Sequence, residues 1–163
     1  MTKSSDEIIS VKADIVALDE SLHVKFPNAK FDDYFITITL TNTQDTTVHI
    51  RIMTCSWSES FVFDKDSFYL SYPGCDINAP ITLDIFPHKD VKFLGKLSCY
   101  KKDCKGAQPL SFKIGFVDLP YKHFFDTPYS QKDKMRYKIF WSDSLYLESK
   151  LYHYEEEKLI INR

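Results

Sequence analysis

Between Phe35 and Trp57 the chain alternates with a period of two. Phe35, Thr37, Thr39 and Thr41 interleave with Ile36, Ile38 and Leu40. Successive side chains of a strand point to opposite faces, so this run predicts a strand with an aliphatic inner face and a hydroxyl-bearing outer one. After Asn42-Thr43-Gln44-Asp45-Thr46 the alternation resumes, with Val48, Ile50 and Ile52 inward and His49, Arg51 and Met53 outward. Two alternating runs joined by a short polar connection predict a β-hairpin. A second signal covers Ile81 to Leu97. Ile81, Leu83 and Ile85 alternate with Thr82, Asp84 and Phe86, and Pro87 removes a backbone donor and ends the pairing. Val91, Phe93 and Leu97 then restart it beyond a proline-bearing corner.

Weaker patterns complete the set. Ile9 to Leu18 reads as a first strand, extended or doubled by Leu22 to Phe26. Phe61 to Leu70 reads as a strand pair around Asp64-Lys65-Asp66, Leu110 to Val117 as one alternating strand, and Tyr137 to Leu147 as strands flanking Ser142-Asp143-Ser144. From Ser144 to Ile161, Leu147, Leu151, Tyr154 and Lys158 share a helix face, but Leu145 and Leu147 fit a strand equally well. Asp118 to Met135 carries two prolines and no period, which predicts a long loop. Many short strands with turn signals every ~8–12 residues and almost no helix predict a single all-β domain, a sandwich or barrel. Its core would run from about residue 9 to 117, with extra strands or a short helix over 136–163.

The stretch ITITLTNTQDTTVHI, followed by ITLDIFPHKDVKF, resembles bacterial immunoglobulin-like domains. There a Thr-Asn-Thr strand end leads into a polar turn, and a strand closing on a proline corner leads into an aromatic-bearing one. The resemblance spans roughly Ile36 to Val117. It implies an immunoglobulin-like antiparallel β-sandwich, here with a C-terminal elaboration, and the noncatalytic roles of such domains: adhesion, carbohydrate binding, inhibition or spacing.

Charge and composition narrow the function. A formal net charge of -2, from 21 basic and 23 acidic residues dispersed along 163, leaves no basic footprint for nucleic acid or an anionic membrane. No run approaches the ~20 apolar residues of a spanning helix, so no membrane insertion is expected. The start MTKSSDEIIS lacks the apolar core of a secretory signal, which points to the cytoplasm, or to periplasm or cell surface if a leader has been removed. Aromatic residues make up 15% of the chain, which suits stacking on sugars or bases. An AT-rich coding sequence, signalled by Lys far outnumbering Arg and by scarce Gly and Ala, produces the same abundance.

Among the candidate chemistries, cysteine is the most decisive. Cys55, Cys75, Cys99 and Cys104 permit three disulfide pairings. A local 99/104 bridge can close a hairpin loop, and 55/75 can tie neighbouring strands. Only 99/104 has zinc-like spacing, and a reducing compartment predicts four free thiols instead. His23, His49, His88, His123 and His153 are isolated from one another, and four glycines leave no phosphate-cradling loop. Asp32-Asp33 and Asp64-Lys65-Asp66 offer calcium oxygens, although such pairs at strand ends are ordinarily solvated turn residues. No catalytic residue, metal site or cofactor is assigned.

The loop Pro120 to Ser130 displays Tyr121, Phe124, Phe125 and Tyr129. It reads either as an aromatic binding surface or as a plug folded over an open sandwich end. Trp57 and Trp141, the two tryptophans, each open a Trp-Ser-acid-Ser run, read as a duplicated site or as strand-end corners. The expected role is a noncatalytic interaction module with a protein partner. The alternatives are a carbohydrate-binding module stacking sugars on Tyr121, Tyr129 or Trp141, a small cytoplasmic inhibitor or immunity-type protein, and an enzyme on a sandwich scaffold.

Overall fold

The computed structural model of the chain describes residues 7–19, 28–71, 74–104, 109–120 and 131–147. These form β1 (Ile9–Leu18), β2 (Phe31–Asn42), β3 (Val48–Met53), a 3-10 turn (Trp57–Ser60), β4 (Phe61–Phe63), β5 (Phe68–Ser71), β6 (Pro80–Ile85) and β7 (Asp90–Tyr100). Helix α1 (Lys101–Cys104), β8 (Leu110–Phe112), β9 (Ile114–Val117), α2 (Gln131–Lys134), β10 (Ile139–Trp141) and β11 (Leu145–Leu147) follow. The fold is all-β and every pairing is antiparallel.

One sheet has the order β1-β2-β7-β5, a second β10-β9-β4, and two ribbons pair β11 with β8 and β3 with β6. Their inner faces meet in one core. Ile36, Ile38 and Leu40 of β2 are fully buried there beside Ile50 and Ile52 of β3, Ile85 of β6, Leu97 of β7 and Phe116 of β9. Much of the aromatic content is spent here: Phe68 stacks on Phe112 with centroids 4.0 Å apart, and Phe93 lies 5.0 Å from Trp57 and 5.6 Å from Phe61.

The alternating faces of β2, β3, β6 and β7 are as their periodicity predicts, with three exceptions: on β2 Thr39, expected outward, is buried, and on β6 Ile81, expected inward, is 39% exposed. Met53, expected outward, is buried at the end of β3.

The pairing differs more. The predicted β2–β3 hairpin does not form, because both edges of β2 are taken by β1 and β7 and β3 pairs with β6. Asn42 makes this crossover possible. Its amide donates to the carbonyls of Thr46 and Ile85, both at 2.8 Å, while its carbonyl accepts from the Gln44 N–H. The polar connection is thereby satisfied without a hairpin ladder. At the β6–β7 corner Pro87 and His88 turn the chain; His88 has φ 56°, and the Lys89 N–H closes onto the Phe86 carbonyl at 3.0 Å.

Three other expectations are corrected. β4 and β5 do not pair with each other: β4 joins β9 and β5 joins β7. Leu110 to Val117 is two strands broken at Lys113, whose N–H is held by the Asp64 carboxylate at 2.7 Å. The predicted loop 118–135 contains α2 at its end. Leu22 to Phe26 and most of 144–161 lie outside the described residues, but 145–147 is a strand.

Candidate interaction surface

Of the sequence-predicted surface, Tyr121, Phe124, Phe125 and Tyr129 lie outside the described residues. Trp141 is half-buried on β10, its ring covering Gly115 of β9, where an added Cβ would sit 2.9 Å from Cε3 of the indole and 2.4 Å from Ile139 Cγ2. Trp57 likewise packs on Gly95, and its motif forms the 3-10 turn that buries Ser60.

The second motif is a β-bulge. β10 pairs Trp141 with Gly115 and β11 pairs Leu145 with Phe112, so Ser142, Asp143 and Ser144 oppose only Lys113 and Ile114. Ser142 bridges the break. Its N–H donates to the Ile114 carbonyl at 2.9 Å and its hydroxyl accepts from the Ile114 N–H at 3.2 Å. The two Trp-Ser-acid-Ser runs thus do different structural jobs.

Three of the four carboxylates named for calcium are engaged within the fold: Asp33 accepts from the Ser98 hydroxyl at 2.6 Å, Asp32 lies 3.9 Å from Lys101, and Asp64 holds Lys113. His49 pairs with Asp84 at 2.6 Å and His88 with Asp45 at 2.8 Å, in two separate exposed pairs. Among the described residues three titrating groups are displaced. Burial, then the nearby Asp32 charge, pushes the Tyr34 phenol up to about 12. Burial raises the Asp118 carboxyl and lowers the Lys134 ammonium, the latter opposed by the charge of Glu59.

The four cysteines fall into two pairs, Cys55 with Cys75 and Cys99 with Cys104, their Cα atoms 5.6 and 6.3 Å apart. The first pair fastens the segment before β6 to the end of β3. Asn78 adds a second fastening, its side-chain oxygen accepting from the N–H groups of Cys55 and Ser56, each at 3.1 Å. Thr54 adds a third: its hydroxyl donates to the Ile77 carbonyl and accepts from the Ala79 N–H, both at 2.9 Å. At the centre of these restraints the Ile77 side chain is 77% exposed.

Ile77 leads directly into β6, where Ile81 is 39% exposed and Phe86, just past the strand, 63%. Among the described residues no strand pairs with the second edge of β6. The backbone phase of that edge follows from two contacts. The Thr54 N–H bonds across to Ala79, whereas the Arg51 N–H turns away from β6 and donates to the Asp118 carboxylate. In an antiparallel ladder, pairs that exchange bonds alternate with pairs that do not. Since Arg51 lies opposite Thr82, the backbone groups of Pro80, Thr82 and Asp84 face the free edge. Pro80, lacking an N–H, sits where no β3 bond is lost.

At the far end of the four-stranded sheet Lys30, Tyr100, Lys101 and Lys102 line a concavity of about 410 Å³. Lys102 reaches over the Tyr100 ring, 5.6 Å from its centroid, and Phe31 bridges Tyr100 to Tyr69. No protein family, curated protein or solved structure matches the chain.

Proposed function

We propose that the chain is a noncatalytic, immunoglobulin-like interaction module that binds a protein partner along β6. The observation that carries this reading is the β6 edge, unpaired among the described residues, flanked by exposed Ile77 and Phe86 and held at one end by the Cys55–Cys75 pair, Asn78 and Thr54. An extended segment docking on such an edge gains main-chain hydrogen bonds for affinity and apolar side-chain contacts for specificity. Exposed aliphatic and aromatic side chains held in place before binding lose little conformational entropy on docking.

A glycan-binding role draws less support, because Trp141 offers only part of its ring, the rest being spent on Gly115. The test is capture of binding partners from extract of the native host by immobilised protein, comparing the natural chain with an I77S/F86S variant. Both residues are exposed, so the variant keeps its fold, checked by circular dichroism, and loses the captured proteins. Identical capture by the two would remove β6 as the binding surface, and retention on a glycan array with no protein captured would favour a sugar ligand.

A further inference from the structure

We infer that the partner which fits β6 is the β6 strand of a second copy of this chain, paired antiparallel about Leu83; this rests on β6 being the binding edge. Among the outer strands of the described sheets, β1 and β6 differ in how their edges are defended. β1 carries outward Lys12 and an irregularity between Ile15 and Ala17 that breaks its ladder, both devices that blunt an edge. β6, PITLDI, has no lysine and an unbroken register with β3.

Self-pairing then depends on what each register sets opposite what. A two-fold axis normal to the sheet preserves its faces, so only registers that place a residue opposite its own copy keep the aliphatic side inward. Centred on Asp84, two carboxylates meet directly. Centred on Thr82, Pro80 meets Asp84 and has no N–H to give it. Centred on Leu83, Ile81 lies beside Ile85 of the second copy and Thr82 opposite Asp84, while the missing Pro80 N–H falls at the strand end opposite Phe86, whose carbonyl already accepts from the Lys89 N–H. Thr82 and Asp84 are also the residues whose backbone groups face the free edge, so each such pair exchanges both of its main-chain bonds, twice over by symmetry. On the outer face the Thr82 hydroxyl can donate to the opposing carboxylate, and no like charges meet. The product is a continuous sheet β3-β6-β6-β3 that covers the exposed surface of Ile81 and Phe86.

Sedimentation or light scattering across concentrations of about 1 µM to 1 mM reads this directly, that range spanning weak to moderate affinities. The natural chain is expected to move with concentration from 19.1 kDa to twice that mass. Two substitutions at the exposed Thr82 have opposite signs. T82D sets two carboxylates opposite each other in both symmetric pairs and weakens association about ten-fold, whereas T82K sets an ammonium opposite Asp84 and tightens it. A chain that stays at 19.1 kDa throughout, or T82D and T82K shifting association in the same direction, overturns self-pairing. If the chain stays monomeric while I77S/F86S still abolishes capture of a host protein, self-pairing fails and the β6 reading stands.

Discussion

The backbone N–H of Arg51 donates to the side-chain carboxylate of Asp118, so the edge of β3 that faces away from β6 is capped by an acid just past the end of β9. Burial raises the Asp118 carboxyl above its ordinary range, against the opposing pull of that hydrogen bond and of the Arg51 charge. The folded chain therefore holds a proton that the unfolded chain releases, and in the window from pH 3.8 up to the raised value stability falls as pH rises. Asp118→Asn keeps an acceptor for Arg51 and removes the buried charge. It should be at least as stable as the natural chain at pH 7, with the gap closing as pH falls through that window. Asp118→Ala leaves the N–H without its acceptor and should cost about 1 kcal/mol. Urea titrations between pH 3 and 7 decide this, and a constant offset between Asn variant and natural chain at every pH would refute it.

Asn42 is buried and its three hydrogen bonds hold two connections at once, the one leaving β2 and the end of β6. Asn42→Ala strands buried backbone groups and should cost about 2–4 kcal/mol, at the upper end of what losing several such bonds does. Asn42→Asp should be worse, because a carboxylate cannot donate to the carbonyls of Thr46 and Ile85. Thermal melts that place both variants within experimental error of the natural chain would show that the clamp is dispensable.

Gly115 is required by close approach. A methyl there drives into Ile139 and the Trp141 ring, so Gly115→Ala should destabilise by about 1–3 kcal/mol, the usual range for overpacking. The diagnostic experiment is a second substitution: Ile139→Ala alone is destabilising, yet in the Gly115→Ala background it should restore part of the loss. Additive penalties in a double-mutant cycle would contradict the proposed clash.

The two cysteine pairs close loops of different length, with separations of 20 and 5 residues. On chain-entropy grounds, opening the 55–75 pair by double Ser substitution should cost about 3 kcal/mol and opening 99–104 about 2 kcal/mol. Alkylation without reductant, read by intact mass, should leave all four thiols unlabelled in the oxidised protein. Equal labelling of all four in protein from its natural host would place the chain in a reducing compartment and make this ranking irrelevant to its native stability.

What the sequence disclosed, and what it withheld, divides along one physical line. Periodicity reports which face of a strand is buried, and Ile36, Ile38, Leu40, Ile50 and Ile52 are all where that reasoning put them. It does not report which strand lies alongside. β2 and β3 look like a hairpin because they are adjacent and separated by a polar pentapeptide, but partner choice depends on β1 and β7 occupying both flanks of β2, which nothing local to residues 35–57 encodes. The break at Lys113 was hidden for the same reason: it answers to Asp64, 49 residues away. For the β6 surface a signal existed in Pro80, since proline at the first position of a strand marks an edge. The exposure of Ile77 had none, because a lone aliphatic residue between Asp76 and Asn78 does not disclose which way it faces, and the restraints that hold it come from Thr54 and Cys55, more than 20 residues away.

The bulge at Ser142–Ser144 has a consequence for what lengths of chain this fold accepts. Phe140, Ser142 and Leu147 are buried and Leu145 half-buried, and between Ser142 and Leu145 two exposed residues stand where a regular strand would have one. The ribbon thus carries a spare residue. Deleting Asp143 should leave Leu145 opposite Phe112 and every later side chain on its present face, fusing the two halves into one straight ladder. Deleting Phe140 or Tyr146 instead would exchange inside for outside in the adjoining strand. The chain should therefore tolerate a shortening in the middle of this ribbon that it rejects a few residues to either side, a difference that soluble expression and melting temperature of the three deletions would register.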